Sequence, residues 1–385
     1  MGNFLCNEKV RDPIDSEPDI CGTNNPYPQR TMYIFPELTI DSQFESGNLQ
    51  KAERVDNKTY DIYIAPDNLN TPQQTKHRVW FYFRVSRVNI PDDNDTHLVS
   101  FRIKNMDDME INNYKNGMRP VYSAPSTNGE WHYLPTPITD MKHDGENIEV
   151  YFDYRFSKAD TDDVYFAFTF PYTYADASKY VETISTKIAK SEKIYYHREH
   201  LINSIEGRKL ELLTITAHTN YSKSNSEQVE REERLKDLFP NQEVTRPILF
   251  KEKDYIFITA RVHPCESPAN FMLEGLLNHL LFAETPQVQA LLEKYVFVVI
   301  PMLNPDGVER GHYRSDTRGK DLNRVYHAAT ADKHPGPYAV LEIAKSLNSK
   351  GRQLVQYIDL HAHSNKDSGF SLFDWGDTPQ ERINQ

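Results

Sequence analysis

The residues best suited to chemistry in this sequence are two histidines and a glutamate, which occur in two short motifs far apart along the chain. Residues 263–266 read His-Pro-Cys-Glu and residues 359–361 read Asp-Leu-His, and each motif follows a run of apolar residues. Two imidazoles and one carboxylate leave a coordination position open for water, which is what catalytic zinc requires. We therefore predict a site for one zinc ion at His263, Glu266 and His361.

Each motif alone is weak evidence, because His-x-x-Glu is common by chance and paired histidines are often ordinary surface or hydrogen-bonded groups. The stretch 304–324 (NPDGVERGHYRSDTRGKDLNR) strengthens the interpretation, since it concentrates cationic side chains between the motifs: Arg310, Arg314, Arg318, Lys320 and Arg324. A solvated charge run is the alternative, because aspartates and a glutamate offset much of this charge. A guanidinium can clamp a carboxylate or stabilise an oxyanion, so the stretch favours an anionic substrate.

Composition narrows the class of partner and the compartment. The chain has 385 residues and a formal net charge of −12, which weighs against a nucleic-acid binder and means that an acidic ligand needs a local basic patch. Three widely spaced cysteines favour a reducing compartment, so we expect a cytoplasmic protein. No apolar run reaches the length of a membrane span.

The first residues leave two interpretations open. Gly2 after the initiator, with Cys6 where a serine or threonine is usual, loosely matches an N-myristoylation signal, and Cys6 offers a second acylation site for weak membrane anchoring. The alternative is an unmodified flexible tail over residues 1–30, which are polar and lack periodicity.

Residues 31–175 predict an antiparallel β-sandwich that serves as an accessory domain without catalytic residues. Short aromatic and β-branched runs separated by turn signals are typical of such a domain. The predicted strands are Thr31–Phe35, Tyr60–Ile64, Val79–Val88, Leu98–Ile103, Ile148–Tyr154 and Val164–Phe170.

Residues 176–385 show the alternation of an α/β domain, with a polar segment at 222–245 that we interpret as a surface insertion. Apolar runs predict strands, and segments with helical spacing predict helices. The helix that starts at Ser267 has this serine as its predicted cap and Pro268 in its first turn. In α/β sheets, sites form where strands end, and the motifs lie there. The strands are Leu210–Thr216, Tyr255–Ala260, Tyr295–Met302 and Leu354–Leu360; the helices are Ala175–Ser191, Ser267–Phe282 and Pro337–Leu347.

At these motifs the sequence resembles the M14 zinc metallocarboxypeptidases, specifically the cytosolic carboxypeptidases. The family pattern His-Pro-Gly-Glu, Asn-Pro-Asp-Gly-Val, Gly-x-Tyr-Arg, Leu-Asn-Arg and Asp-Leu-His occurs here in order, and the resemblance covers roughly residues 40–375. It implies an α/β fold: a mixed-sheet zinc carboxypeptidase domain, C-terminally incomplete, preceded by an antiparallel β-sandwich. Segments such as Phe44–Leu49 (FESGNL) are similar to cytosolic carboxypeptidases of type five, tubulin deglutamylases associated with microtubules and cilia.

The resemblance also implies a role for each matching residue. The zinc ligands are His263, Glu266 and His361, and Arg314 polarises the scissile carbonyl. Asn323 and Arg324 bind the terminal α-carboxylate of the substrate, an acidic glutamylated protein tail such as that of tubulin. Asp321 supports the first zinc histidine through its second ring nitrogen. We interpret Asp359 and His363, which flank the last ligand, as structural.

Two departures from the family pattern limit the prediction. Cys265 replaces the usual glycine between the first two ligands, either as a tolerated small side chain or as a competing ligand. The family's general-base glutamate and capping tyrosine lie well beyond the third ligand, and no position up to Gln385 matches them. Three hypotheses follow: part of a longer deglutamylating enzyme, a short protein that binds zinc or glutamylated tails without cleaving them, or relic motifs on a structural protein.

Overall fold

The structure, a computed structural model, describes residues 27–87, 96–138, 141–219, 229–349 and 353–363. The predicted acylation of Gly2 and Cys6 lies outside the described residues, as does most of the predicted tail. Within the described part, no helix combines the length and apolar character that a membrane crossing demands.

The first half of the chain forms two sheets, and their strand pairs are antiparallel except for one. The six-stranded sheet has the order β1-β2-β5-β11-β7-β8 and the five-stranded sheet the order β3-β4-β6-β10-β9, in which β4 and β6 are parallel. A five-residue helix, α1 (Ile111–Lys115), follows β6. The strands are β1 (Met32–Ile34), β2 (Leu38–Asp41), β3 (Lys51–Arg54), β4 (Thr59–Tyr63), β5 (Tyr82–Arg87), β6 (Thr96–Asp107), β7 (Val121–Ser123), β8 (Trp131–Tyr133), β9 (Met141–His143), β10 (Asn147–Ser157) and β11 (Val164–Ala167).

Alternating apolar residues explain why these strands pack as two layers. In β10, every second residue from Ile148 to Phe156 is buried while its neighbours are more exposed, as period-two side-chain orientation requires. The buried faces meet in an aromatic core in which Phe101 and Phe166 have ring centroids 5.2 Å apart. Aromatic pairs at this separation contribute about 0.5–1.5 kcal/mol beyond their burial.

The second half contains one mixed sheet covered by helices, so the predicted fold class is confirmed. Its order is β12-β13-β15-β14-β16; the first three strands are antiparallel neighbours, and β15, β14 and β16 are parallel. The strands are β12 (Ile194–Asn203), β13 (Lys209–Ala217), β14 (Asp254–Ala260), β15 (Tyr295–Ile300) and β16 (Leu354–Leu360), and the helices are α2 (Tyr174–Ile188), α3 (Pro268–Phe282), α4 (Pro286–Lys294), α5 (Pro305–Glu309) and α6 (Pro335–Leu347).

Two local features differ from the sequence-based expectation. Ser267 precedes α3, but its side chain makes no capping hydrogen bond, because the backbone of Ser267 is already helical. Its buried Oγ has no hydrogen-bond partner among the residues that the structure describes. The polar segment does not lie wholly on the surface: residues 220–228 are not described, but Leu238 and Phe239 pack into the core of the second half. Apolar anchors of this kind fix a charged segment against the domain.

The parallel strands bring the chemical motifs to one edge of the sheet. In the register of β14 and β16, Ala260 lies opposite Leu360, so the residues that follow the two strands are neighbours. The chain after β15 turns into α5, where the Asn304 side chain caps the helix by accepting a hydrogen bond from Gly307 N at 3.0 Å. The carboxyl ends of three parallel strands therefore carry all three motifs.

Candidate metal centre

His263, Glu266 and His361 converge at this edge. One ligand atom from each lies within 4.8 Å of the other two. Both carboxylate oxygens of Glu266 face imidazoles: Oε1 is 2.8 Å from Nδ1 of His263 and Oε2 is 2.9 Å from Nδ1 of His361. The backbone N–H of Ala362 also donates to Oε2 at 2.9 Å, which fixes the carboxylate between the two rings.

The opposite ring nitrogens of both histidines contact further carboxylates. Oδ1 of Asp321 lies 3.1 Å from Nε2 of His263, the pairing that the family resemblance implies, and Oδ2 of Asp359 lies 2.8 Å from Nε2 of His361. A carboxylate on Nε2 fixes the ring orientation and leaves Nδ1 for a metal. Both imidazoles therefore point the same type of nitrogen at the same place.

The site is strongly polarised, and the pKa values follow from its contacts. Burial raises the pKa of Glu266, but hydrogen bonds from His263 and His361 outweigh this and lower the pKa to about 2. Burial lowers the pKa of His361, whereas its bonds to Asp359 and Glu266 raise it to about 10. The pKa of Asp321 is held well below its usual range by His263 and by a nearby arginine, despite burial. Glu266, the predicted carboxylate ligand, is thus ionised, as a metal ligand must be.

The three residues fit a zinc ion in chemistry and approximately in spacing. Two nitrogens and one carboxylate are a common donor set for catalytic zinc, with ligand distances of about 2.0–2.2 Å. Ligand atoms at a tetrahedral ion are then about 3.3 Å apart. The separations of 2.8 and 2.9 Å from Glu266 to His263 and His361 are shorter than this. The two carboxylate–imidazole pairs would therefore have to separate by about half an ångström to admit an ion.

The predicted substrate-binding residues lie beside this cluster. Nε and Nη2 of Arg314 contact Oδ2 of Asp321 at 2.9 and 2.7 Å, so one aspartate holds both a predicted ligand and the arginine. Asp321 also caps a 3₁₀ turn, Leu322–Arg324, by accepting from Asn323 N at 2.9 Å. Asn323 is half-buried and Arg324 is exposed, and both follow the aspartate directly in the chain.

Two contributors to the site were not anticipated. One is the contact of Asp359 with His361; we interpreted Asp359 as structural, and it also accepts a hydrogen bond from Thr259 Oγ1 at 2.7 Å. The i, i+2 spacing of Asp359 and His361 at the end of a strand is the signal that places them on one side. The second is Arg261, which is 2% exposed with φ of 61° and donates to Pro264 O at 2.7 Å. No sequence pattern predicts such a buried cation.

The remaining residues near the motifs contribute differently. Cys265 lies between two of the clustered residues, but its side chain packs against the aromatic core of the first two sheets. Burial, followed by the charges of Glu266 and Glu110, raises the pKa of this thiol well above its usual value. This environment favours the interpretation of Cys265 as a tolerated small side chain. His363 is exposed.

Family models match both halves of the chain. A model described as "Zinc carboxypeptidase" matches residues 181–382, and one described as "Cytosolic carboxypeptidase N-terminal domain" matches residues 40–170. His263, Glu266 and His361 all lie within the first match.

Curated relatives carry names of the same group. The chain is 32% identical over 360 residues to cytosolic carboxypeptidase-like protein 5 of Ailuropoda melanoleuca, which covers 85% of this chain and 39% of the relative. It is 34% identical over 336 residues to cytosolic carboxypeptidase 6 of Mus musculus, covering 86% of this chain and 54% of the relative. The chain therefore spans between about two fifths and about half of the length of these relatives.

Solved structures share the fold. A metallo-carboxypeptidase from Burkholderia cenocepacia superposes with a TM-score of 0.60 at 20% identity, covering 86% of this chain and 72% of that one. A metallo-carboxypeptidase from Pseudomonas aeruginosa gives a TM-score of 0.59 at 22% identity, covering 84% and 70%. With the family matches and the curated relatives, these similarities show that the chain belongs to the zinc carboxypeptidase family, in the group that carries the cytosolic carboxypeptidase N-terminal domain.

Proposed function

We propose that this chain binds one zinc ion through His263, Glu266 and His361 and belongs to a carboxypeptidase that removes glutamate from acidic protein tails, with tubulin as the first candidate. The observation that carries the proposal is the convergence of three ligand atoms within 4.8 Å beside an arginine that is already oriented. The proposed location is the cytoplasm, at microtubules or cilia.

Each residue has a defined task in this proposal. When bound, the ion supplies Lewis acidity, which lowers the pKa of a coordinated water and polarises a carbonyl. Arg314 stabilises the charge that develops on the scissile carbonyl oxygen, and Asp321 holds its guanidinium through Nε and Nη2. Asn323 and Arg324 hold the terminal carboxylate of the substrate, and a guanidinium suits this because it offers two parallel donors.

Local charge supports an acidic substrate despite the net charge of −12. Arg318, Lys320 and Arg324 are exposed on the segment that follows Arg314. Among the described residues, none of these three forms an ion pair with a carboxylate, whereas Arg314 does. Exposed cations around a metal site raise the local concentration of an anionic ligand, an effect that weakens as salt screens it.

The metal part of the proposal is tested by elemental analysis of the purified chain and of His263→Ala and Glu266→Gln variants. We expect one zinc per wild-type chain and none in either variant. His200→Ala is the matched control, because it removes a histidine of the same sheet outside the cluster, and should leave the zinc content unchanged. Wild-type protein without stoichiometric zinc after reconstitution would contradict the proposal.

The substrate part is tested with peptides that end in a linear or a branched glutamate. We expect zinc-loaded protein to bind these peptides more tightly than versions ending in glutamine, with release of free glutamate scored separately. Binding without release would favour the alternative, a protein that binds zinc and glutamylated tails without cleaving them. Equal affinity for glutamate and glutamine peptides would exclude both.

A further inference from the structure

We propose that Asp67, on a loop of the first two sheets, is a positioning residue that sets the conformation of the chain at Arg314. This inference rests on the proposed function, because it concerns the arginine assigned to the scissile carbonyl. It gives the N-terminal part of the chain, which we expected to be only an accessory domain, a direct part in building the catalytic centre.

Asp67 accepts hydrogen bonds from three consecutive backbone N–H groups. Oδ1 accepts from Tyr313 N at 2.6 Å, and Oδ2 accepts from Arg314 N at 2.9 Å and Ser315 N at 2.8 Å. Ser315 Oγ donates to the same oxygen at 2.9 Å. Converging N–H groups form an anion-binding concavity, and Asp67 fills it from residues that are distant in sequence.

Because the Asp67 carboxylate is buried, losing any of these hydrogen bonds is costly. Asp67 is 1% exposed, so water does not replace a lost hydrogen bond there. A buried carboxylate is expensive unless its oxygens are satisfied, and here the arginine segment provides the donors. Fixing the backbone on both sides of Arg314 fixes the direction of its Cα–Cβ bond. That direction lets the guanidinium reach Asp321.

Neighbouring residues extend the same contact between the two halves of the chain. Asn68 Nδ2 donates to Asp316 O at 2.8 Å, and Asn48 Nδ2 donates to Gly311 O at 3.0 Å. Ser46 Oγ donates to Val308 O at 2.7 Å. The backbone before and after Arg314 is therefore held by side chains from residues 46–68. Asp67 is the charged member of this set and the one that bonds Arg314 itself.

Asp67→Asn tests this role with almost no change in volume. An amide can accept at its oxygen, but its NH₂ group must then face a backbone N–H that needs an acceptor. We expect the amides of residues 313–315 to exchange hydrogen at least about tenfold faster, because each of them loses all or part of a strong hydrogen bond to a charged acceptor. Hydrogen exchange read by mass spectrometry on a peptide spanning 312–317 measures the effect without any ligand.

Asp160→Asn is a matched control for general destabilisation. Asp160 is also 1% exposed and lies in the turn between β10 and β11, and it accepts from Ser157 N at 2.9 Å, Ser126 N at 3.1 Å and Tyr154 Oη at 3.2 Å. All these donors belong to the first half of the chain. We expect this variant to lose stability to a similar degree while exchange at residues 313–315 stays at the wild-type rate.

A second readout connects the contact to Arg314. The probe is a phosphinate analogue of glutamyl-glutamate, titrated into zinc-loaded protein. We expect Asp67→Asn to weaken phosphinate binding at least about tenfold at saturating zinc. In an Arg314→Ala background the same substitution should have no further effect, because a positioning residue acts only through the group that it positions.

The outcomes separate this inference from the proposed function. Unchanged exchange at residues 313–315 in Asp67→Asn overturns the inference, as does an equal acceleration in Asp160→Asn. Additive losses of phosphinate binding in the double variant also overturn it. If wild-type protein binds neither zinc nor the phosphinate, the proposed function fails, and the exchange comparison still decides whether Asp67 sets the Arg314 segment.

Discussion

Replacement of Asp321 by asparagine should weaken zinc binding even though Asp321 is not a predicted ligand. The side chain performs two tasks at once. Oδ1 lies 3.1 Å from Nε2 of His263, and Oδ2 holds the guanidinium of Arg314 at 2.7 and 2.9 Å. The substitution keeps the shape of the side chain but removes its charge, so both contacts weaken together.

The size of the effect follows from which contacts survive. The amide oxygen of asparagine can still accept from Nε2 of His263, but a neutral acceptor raises the basicity of the imidazole less than a carboxylate does. Loss of such an orienting partner typically costs 10–100-fold in metal affinity. We expect about tenfold for Asp321→Asn, or about 1.4 kcal/mol, because one acceptor remains. Asp321→Ala removes the acceptor and should approach about a hundredfold.

Asp359→Asn provides the comparison that separates the two tasks. Asp359 contacts His361 at 2.8 Å much as Asp321 contacts His263, but among the described residues it has no arginine partner. Both variants should therefore lose zinc affinity by a similar factor. At saturating zinc, only Asp321→Asn should also lose affinity for a phosphinate analogue of glutamyl-glutamate, since only that variant releases Arg314.

The assay is a competition titration against a chromophoric chelator at fixed pH, followed by calorimetry with the phosphinate. Asp332→Asn, an exposed aspartate near the same segment, is the control for the removal of one negative charge. Zinc affinity of Asp321→Asn within twofold of wild type would refute the reasoning. A phosphinate loss of the same size in Asp359→Asn would show that Arg314 is not the cause.

Three further predictions concern the scaffold. Gly311→Ala should lower the melting temperature by several degrees more than Gly129→Ala. Both glycines have positive φ, 65° and 75°, but only at Gly311 would an added Cβ meet a backbone oxygen, at 2.6 Å. Equal decreases in melting temperature would contradict this prediction. Burial lowers the pKa of Lys253 to about 8, against 10.5 in the unfolded chain. Between these pH values the unfolded state therefore binds more protons than the folded state, and the free energy of unfolding should rise from pH 8 to pH 10.5 relative to that of Lys253→Met. Denaturation of both proteins at both pH values measures this difference. Arg246→Met should destabilise by about 3–5 kcal/mol because it leaves buried Glu199 without its guanidinium partner, with the imidazole of His197 still nearby at 3.8 Å. The double change with Glu199→Gln should recover much of that loss in the same denaturation assay.

The sequence predicted long and regular elements well, because their patterns repeat often enough to be recognised. β16 has the predicted bounds, and α3 begins and ends within one residue of the prediction. Strands of three residues, such as β7 and β8, were missed since they contain too few alternations to show a period. α4 was also missed, although Thr285 accepts from Val288 N as its cap, because its nine residues hold only three large apolar side chains, too few to show a helical period.

The candidate site was predictable to the extent that each residue stands in a motif. His263, Glu266 and His361 were named from motif and spacing, and the parallel register of β14 and β16 supplies the proximity that spacing alone does not state. Asp67 could not be found this way. It lies 246 residues or more from the amides that it binds, in a segment without any recognisable motif. Its role follows only from tertiary contact, which single-sequence patterns do not encode.

A series of polar contacts connects the N-terminal sheets to the metal site. Asp67 binds the backbone at Arg314, Arg314 binds Asp321, Asp321 binds His263, and His263 binds Glu266. Each group in the series holds the next one, so moving one of them leaves its neighbour with an unsatisfied polar contact. Such networks respond to substitution as units and not as sums of pairs. Separating the N-terminal sheets from the zinc sheet should therefore disturb His263 as well as the substrate-binding arginine, although no residue of those sheets contributes a predicted ligand.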